Sequence, residues 1–285
     1  MTQMVILNLL NGITFGSVLF LIASGLSLVL GVMGIVNLAH GVLYMVAGYV
    51  GWSVAVQYGL NFGLAVLAGG IAAGLLGLLM ERRFLYHLYR QENEQVLLTI
   101  GFVYIFTNLS LWIWGPSPKA PFAPSFLSGS FPILGWSYPI VRIAIILIGL
   151  ASAAGLWWLQ DKTRLGAVVR AGMEDKEMAM ALGVNMDKVS ALVFSLGAFT
   201  AGVAGVIGAE LLGVNLSLGW DILFYALIVV IVGGMGSVQG ALLGAMLIGV
   251  IDAFGKAVFP EFASYTIYLT MIVMLLVRPS GLLRR

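Results

Sequence analysis

Glu174, Asp175, Lys176 and Glu177 stand side by side in VRAGMEDKEMAMALGVN (169–185), within a chain of 285 residues of which only 9% are charged. Their chemistry is that of contact. Carboxylates at the start of a short helix are favoured by the helix dipole, and three acids with one base suit a complementary protein groove. Two other stretches carry polar groups among apolar residues. Asn37 and His40 precede Gly41 in GIVNLAHGVLYMVAGY, and Gly233, Gly234 and Gly236 precede Ser237 and Gln239 in VGGMGSVQGALLGAM. Each reads as a backbone break followed by a helix start, and Gln239-Gly240 aligns with His40-Gly41. Broken segments in corresponding halves point to a transporter's pathway. The same polar groups can instead satisfy broken helix ends, and the residues alone favour neither use. His40 has no carboxylate near it in sequence, so it reads as a buried histidine bonded to a carbonyl or hydroxyl before it reads as a proton relay.

The elements that hold these groups are membrane helices. Hydrophobic residues make up 61% of the chain, against roughly 45–50% in soluble domains. No Asp, Glu, Lys or Arg occurs before Glu81, although a bilayer span needs only about 20 such residues. MTQMVILNLL lacks the basic start of a secretory signal and reads as a retained first helix. With no cysteine there is no disulfide framework and no thiolate metal site. Apolar runs fall at 4–32, 38–57, 62–80, 96–114, 139–160, 189–213, 222–235, 240–256 and 264–277. The expected fold is an all-α polytopic integral membrane protein of about 8 membrane segments (8 to 9) in one domain over 1–285. Runs 38–57 and 222–235 contain glycine and polar interruptions and are expected to be discontinuous or re-entrant, which is tolerated only where protein or a water-filled cavity covers the backbone.

Charge sets the topology. Of fourteen Lys and Arg, eleven fall in three places: Arg82, Arg83, Arg90; Lys162, Arg164, Arg170, Lys176, Lys188; Arg278, Arg284, Arg285. The positive-inside rule makes these cytoplasmic. The proline-rich loop 115–138 then faces outward, as does the N-terminus. Trp112, Trp114, Trp136 and Tyr138 flank that loop as expected interface anchors. Glu210 and Asp221 lie beside LLGVNLSLGW and reach the outer interface. Asp252 and Lys256 are spaced for an i, i+4 ion pair. None of these three acids reads as a coupling site.

The loop at 161–188 runs to 28 residues, where unselected connections take about 4–6. Met178, Ala181 and Leu182 recur at i, i+3 and i+4, and Gly183 is placed to stop a helix. The spacing predicts one helix of about three turns near 173–183, with a small apolar face. A helix lying on lipid would carry the opposite sign, since the cytoplasmic leaflet attracts Lys and Arg.

Residues 164–205, RLGAVVRAGMEDKEMAMALGVNMDKVSALVFSLGAFTAGVAG, resemble the cytoplasmic loop and following helix of permease subunits from ABC importers for branched-chain amino acids, the LivH type. NGITFGSVLFLIASGLSLVLGVMGIVNLAHGVLYMVAGYV (11–50), GGMGSVQGALLGAMLIG (233–249) and VRPSGLL (277–283) agree in order and spacing, so the resemblance covers nearly the whole chain. It implies a multi-pass inner (plasma) membrane permease whose loop supplies a coupling helix to a cleft of an ATP-hydrolysing subunit. Arg170, Glu174, Asp175, Glu177, Met178, Ala181, Leu182 and Gly183 are the expected coupling residues. Asn37, His40, Gly233, Gly234, Gly236, Ser237 and Gln239 are the expected translocation pathway. The implied partners are a second homologous permease chain, forming a heterodimer, two ATPase subunits that bind ATP and Mg, and an external solute-binding protein. No cofactor, metal or nucleic acid is expected on this chain. A phosphate loop ends in Gly-Lys-Ser/Thr, which does not occur here, so ATP hydrolysis is expected in other chains and this one is not expected to be an enzyme. A urea or short-amide importer, an ATP-independent channel or carrier, and a scaffold remain the alternatives.

Overall fold

The computed structural model describes residues 2–34, 37–89, 91–122, 124, 127, 129–133, 136–279 and 281–283. Arg90, Arg284 and Arg285, three of the cations used for topology, lie outside them.

The helices follow the apolar runs. They are α1 Thr2–Met33, α2 His40–Trp52, α3 Phe62–Arg83, α4 Glu92–Trp114, α5 Ile140–Lys162, α6 Arg164–Glu174, α7 Lys176–Ala181, α8 Met186–Leu212, α9 Leu218–Gly233, α10 Val238–Val258 and α11 Ala263–Val277. A π-helical turn, Ser53–Gln57, extends α2. Among the described residues, α1, α3, α4, α5, α8 and α10 are long and apolar enough to cross a membrane, and α9 and α11 are shorter apolar helices. Together they match the eight expected segments; α2, which begins after the break at the end of α1 and runs unbroken into the π-helical turn, is the ninth.

Helix α1 is the axis of the bundle, packed against α10, α8, α5 and α9. Its glycines set the spacing. A Cβ on Gly12 would lie 2.6 Å from the Val250 Cα, and one on Gly16 2.8 Å from the Ala245 carbonyl oxygen, so α1 and α10 run antiparallel with their backbones nearly touching. Gly25 and Gly197 do the same for α1 and α8. In lipid, where apolar burial drives helix association weakly, such close approach supplies van der Waals contact instead.

The charges separate by end. Lys119 bridges its backbone to Val214, Arg142 donates to Asn11, and the Lys256 ammonium lies over the Phe15 ring, all at one end, which the charge rule makes the outer one. The other described cations lie at the opposite end, with the loop between α5 and α8.

Two expectations change. The outer loop holds a small antiparallel hairpin, β1 Ser130–Ile133 with β2 Trp136–Pro139, in an otherwise helical chain. Of the four aromatic anchors, Trp112 and Trp136 are exposed, whereas Tyr138 is buried with its hydroxyl 3.0 Å from Thr14 Oγ1. Trp114 stacks on Tyr49 and donates to Ser53 Oγ at 2.7 Å. A polar tip that finds a partner inside holds the ring there.

Candidate functional site

The loop at 161–188, cytoplasmic by the charge rule, is two helices where one was expected. Thr163 opens α6 by accepting from the Gly166 N–H at 3.1 Å. Gly166 is required because the Leu159 and Gln160 carbonyls occupy the space of a side chain. Arg170 turns back: its guanidinium donates to the Gln160 carbonyl and lies 3.5 Å from Asp161 Oδ1, bracing α6 against the end of α5. Asp175 then breaks the helix with an extended backbone and caps α7 by accepting from the Met178 N–H at 2.9 Å. The acidic run therefore straddles a junction. Glu174 ends α6, Asp175 is the cap, and Glu177 alone of the acids sits in the first turn of α7.

Gly183 stops α7 as expected. Its φ is +87°, its N–H bonds to the Met180 carbonyl at 2.9 Å, and Val184 N–H bonds to the Ala179 carbonyl at 3.1 Å. This pair of bonds is a Schellman cap, which needs a left-handed residue at that position. Between cap and stop, Ala179 faces the body and is buried, while Met178, Ala181 and Leu182 point outward; Met178 is 58% and Leu182 78% exposed. The apolar face read from the spacing is displayed at the surface.

Two contacts tie this loop to the bundle. Met173 of α6 reaches both Gly31, near the end of α1, and Gly236, in the turn between α9 and α10; a Cβ on Gly31 would meet its methyl carbon at 2.5 Å. Beside it a cavity of about 750 Å³ is lined by Leu30, Gly34, Glu174 and Met235. On α7, the Lys176 ammonium lies 4.8 Å from the centroid of Tyr89, whose hydroxyl donates to the buried Glu81 at the end of α3. Burial pushes the Tyr89 hydroxyl above its ordinary range, so it stays protonated and remains a donor.

The first break lies inside the bundle. Asn37 Oδ1 accepts from the Ala39 N–H at 3.0 Å, turning the chain into α2. His40, the first residue of α2, places Nε2 3.2 Å from the Ile22 carbonyl. A carbonyl only accepts, so Nε2 carries a proton, and in the neutral imidazole Nδ1 does not. Ile22 stands eleven residues before the end of α1, about 16 Å along the helix. Asn37 Nδ2 and His40 Nδ1 are both buried with no hydrogen-bond partner, which costs about 1–3 kcal/mol for each. Gly41 follows because the Gly219 carbonyl of α9 occupies the position of its Cβ.

The second break lies elsewhere. Gly234 and Gly236 have φ of +104° and +76°, and Ser237 Oγ caps α10 by accepting from the Gly240 N–H at 3.0 Å. Gly233 packs on Gly240, and residues 281–283 fold back so that Leu282 N–H bonds to the Val232 carbonyl at 2.8 Å. Gln239 is exposed. This turn packs against Met173, whereas Asn37 and His40 make their contacts at the start of α2 and with Ile22 of α1.

Met173 and Tyr89 were absent from the expected coupling residues. Met173 carried a signal, being the apolar residue four after Val169 that directly precedes the acidic run; nothing in sequence joined Tyr89 to Lys176.

A polytopic helical bundle with a buried break between α1 and α2 and a short capped helix displayed at one end is consistent with a membrane permease. The comparisons agree. Residues 8–278 match the family described as branched-chain amino acid transport system / permease component, and the chain belongs to that family. It is 32% identical to the high-affinity branched-chain amino acid transport system permease protein BraD of Pseudomonas aeruginosa and 30% identical to the permease protein LivH of Escherichia coli K12, each over 98% of this chain and 95% of the relative. A chain in the solved structure of PsaBC from Streptococcus pneumoniae in complex with Fab shares the fold, with a TM-score of 0.55 at 17% identity over 94% of this chain and 89% of that one.

Proposed function

We propose that the chain is the membrane-spanning subunit of an ATP-driven importer in the inner membrane, carrying leucine, isoleucine or valine into the cytoplasm. It acts with a second permease chain, two ATPase subunits and an external binding protein. The carrying observation is the α7 face of Met178, Ala181 and Leu182, displayed beyond its acidic cap and joined to the core through Met173. An ATPase cleft covers that face. When the ATPases close, α7 and α6 move together, and Met173 passes the displacement to the end of α1 and to the α9–α10 turn.

The route for substrate is supported by Asn37 and His40, whose unpaired polar atoms are retained inside the bundle at a cost. In the substrate-passing conformation these atoms meet water or the ends of the amino acid. Glycine and apolar surfaces beside them pass the side chain without holding it. The alternation between closed and open states repacks α2 against α1 and α9 around Gly41.

The test is reconstitution in proteoliposomes with candidate ATPases and binding protein. ATP-dependent leucine uptake, with ATP hydrolysis stimulated by the loaded binding protein, supports the reading. Leucine uptake that persists with no ATPase present would overturn it.

A further inference from the structure

The outer end carries a cavity of about 400 Å³ where α1, α5, α8 and α10 meet, within the roughly 300–1,000 Å³ of small-molecule sites. Its walls have both signs of charge and an apolar side. Arg142 stands on one wall and donates to Asn11 Oδ1 at 2.6 Å. Asp252 stands on another, buried, with the exposed Lys256 ammonium 2.6 Å from its Oδ2. Phe15 and Leu212 complete the lining.

This concentration of charge is unusual for the outer end. The outer end has three cations, Lys119, Arg142 and Lys256, and two of them line this one cavity. Glu210, next in sequence to the lining, interacts with the Arg142 charge and keeps Oε2 buried with no hydrogen-bond partner. Charge set into membrane segments is expensive and marks function by default. The spacing is also suited to a small ligand. Asn11, which holds Arg142, and Phe15, which carries Lys256 over its ring, are one helical turn apart on α1, a separation of about 5–6 Å between side-chain roots.

We propose that this cavity is an entry subsite for a zwitterionic amino acid. Arg142 takes the carboxylate through its free N–H groups, in the planar fork suited to that anion. Asp252 takes the ammonium through Oδ1, since a carboxylate accepts from more than one donor and the Lys256 ammonium holds only Oδ2. The apolar side chain lies along Phe15 and Leu212. The assignment rests on the importer reading for its substrate class and adds where that substrate is received.

The experiment uses the full chain in lipid nanodiscs, titrated at equilibrium with L-leucine, L-leucinamide, which lacks the carboxylate, and 4-methylpentanoate, which lacks the ammonium. Wild type is expected to bind leucine at least roughly tenfold tighter than either analogue, about 1.4 kcal/mol. Arg142→Gln abolishes the preference over leucinamide and keeps that over 4-methylpentanoate; Asp252→Asn does the reverse. The retained preference in each variant shows that it is folded. If both variants keep both preferences, or if the wild type shows no saturable leucine binding, the subsite is overturned, while leucine uptake by the assembled transporter leaves the importer reading standing. Loss of that uptake in the wild-type assembly overturns the importer reading instead.

Discussion

Met173 of the cytoplasmic loop lies so close to Gly236, in the turn between α9 and α10, that a Cβ on Gly236 would collide with its methyl group. Gly31 meets the same side chain from α1. One flexible thioether thus joins the displayed loop to α1 and to the α9–α10 turn, at a place where neither has a side chain of its own.

Met173→Ala is expected to uncouple the transporter. It removes packing worth about 2 kcal/mol, the low end for a methionine truncation because the site is half-buried. Assembly with the ATPases and hydrolysis of ATP persist, while leucine uptake per ATP hydrolysed falls several-fold in proteoliposomes. An unchanged ratio would mean that force passes by another contact.

Charge and apolar surface on the docking helix separate by substitution. Leu182→Glu places a carboxylate at the exposed apolar C-cap of α7 and is expected to abolish co-purification of the ATPases. Glu174→Lys with Glu177→Lys is expected to weaken co-purification and to make what remains more sensitive to salt, since exposed charges are screened within about 10 Å at 0.1 M. Both proteins insert in the membrane as the wild type does. Retention of the ATPases by all three substitutions would remove the docking role.

Asp175 acts as a cap before it acts as a contact. Asp175→Ala is expected to destabilise α7 by about 1 kcal/mol, read as faster amide exchange across 176–182. Asp175→Ser keeps the cap and restores protection. If serine fails where aspartate succeeds, the charge itself meets a partner.

Gly41→Ala forces a methyl group onto the Gly219 carbonyl, a backbone atom that cannot swing aside. Overpacking of this kind costs about 1–3 kcal/mol, and the midpoint of thermal unfolding in detergent should fall by several degrees. Gly101→Ala, where a Cβ meets nothing within 4 Å, should leave it unchanged.

The natural chain has no cysteine, so single cysteines report topology cleanly. Lys119→Cys is expected to react with an impermeant maleimide from the outside of right-side-out vesicles, and Lys188→Cys only after permeabilisation. The reverse pattern would invert every assignment made from the charges.

Much of this molecule was legible in its amino acids because lipid imposes simple rules. The absence of charge before Glu81 located the first helices, and the clustering of cations marks one end of the bundle, whose side the cysteine labelling tests. The i, i+4 pair of Asp252 and Lys256 is present at 2.6 Å, and Gly183 ends α7 where its spacing required. What could not be read depends on contacts distant in sequence. Nothing local distinguishes Asp175 as a helix interior residue from Asp175 as a cap, so one helix was expected where two form. Tyr138 resembles any interfacial tyrosine until Thr14 is beside it. The two breaks look alike in sequence, yet the packing of α1 sets Asn37 and His40 inside the bundle and leaves Gly236 at its cytoplasmic end.

The central claim is that ATPases drive this permease through α7, and reconstitution of the chain with its ATPases, second permease and binding protein tests it most directly. Leucine uptake is measured with ATP, without ATP, and with Leu182→Glu in place of the wild type. Uptake is predicted only with ATP and the intact helix; equal uptake in all three conditions would contradict the account.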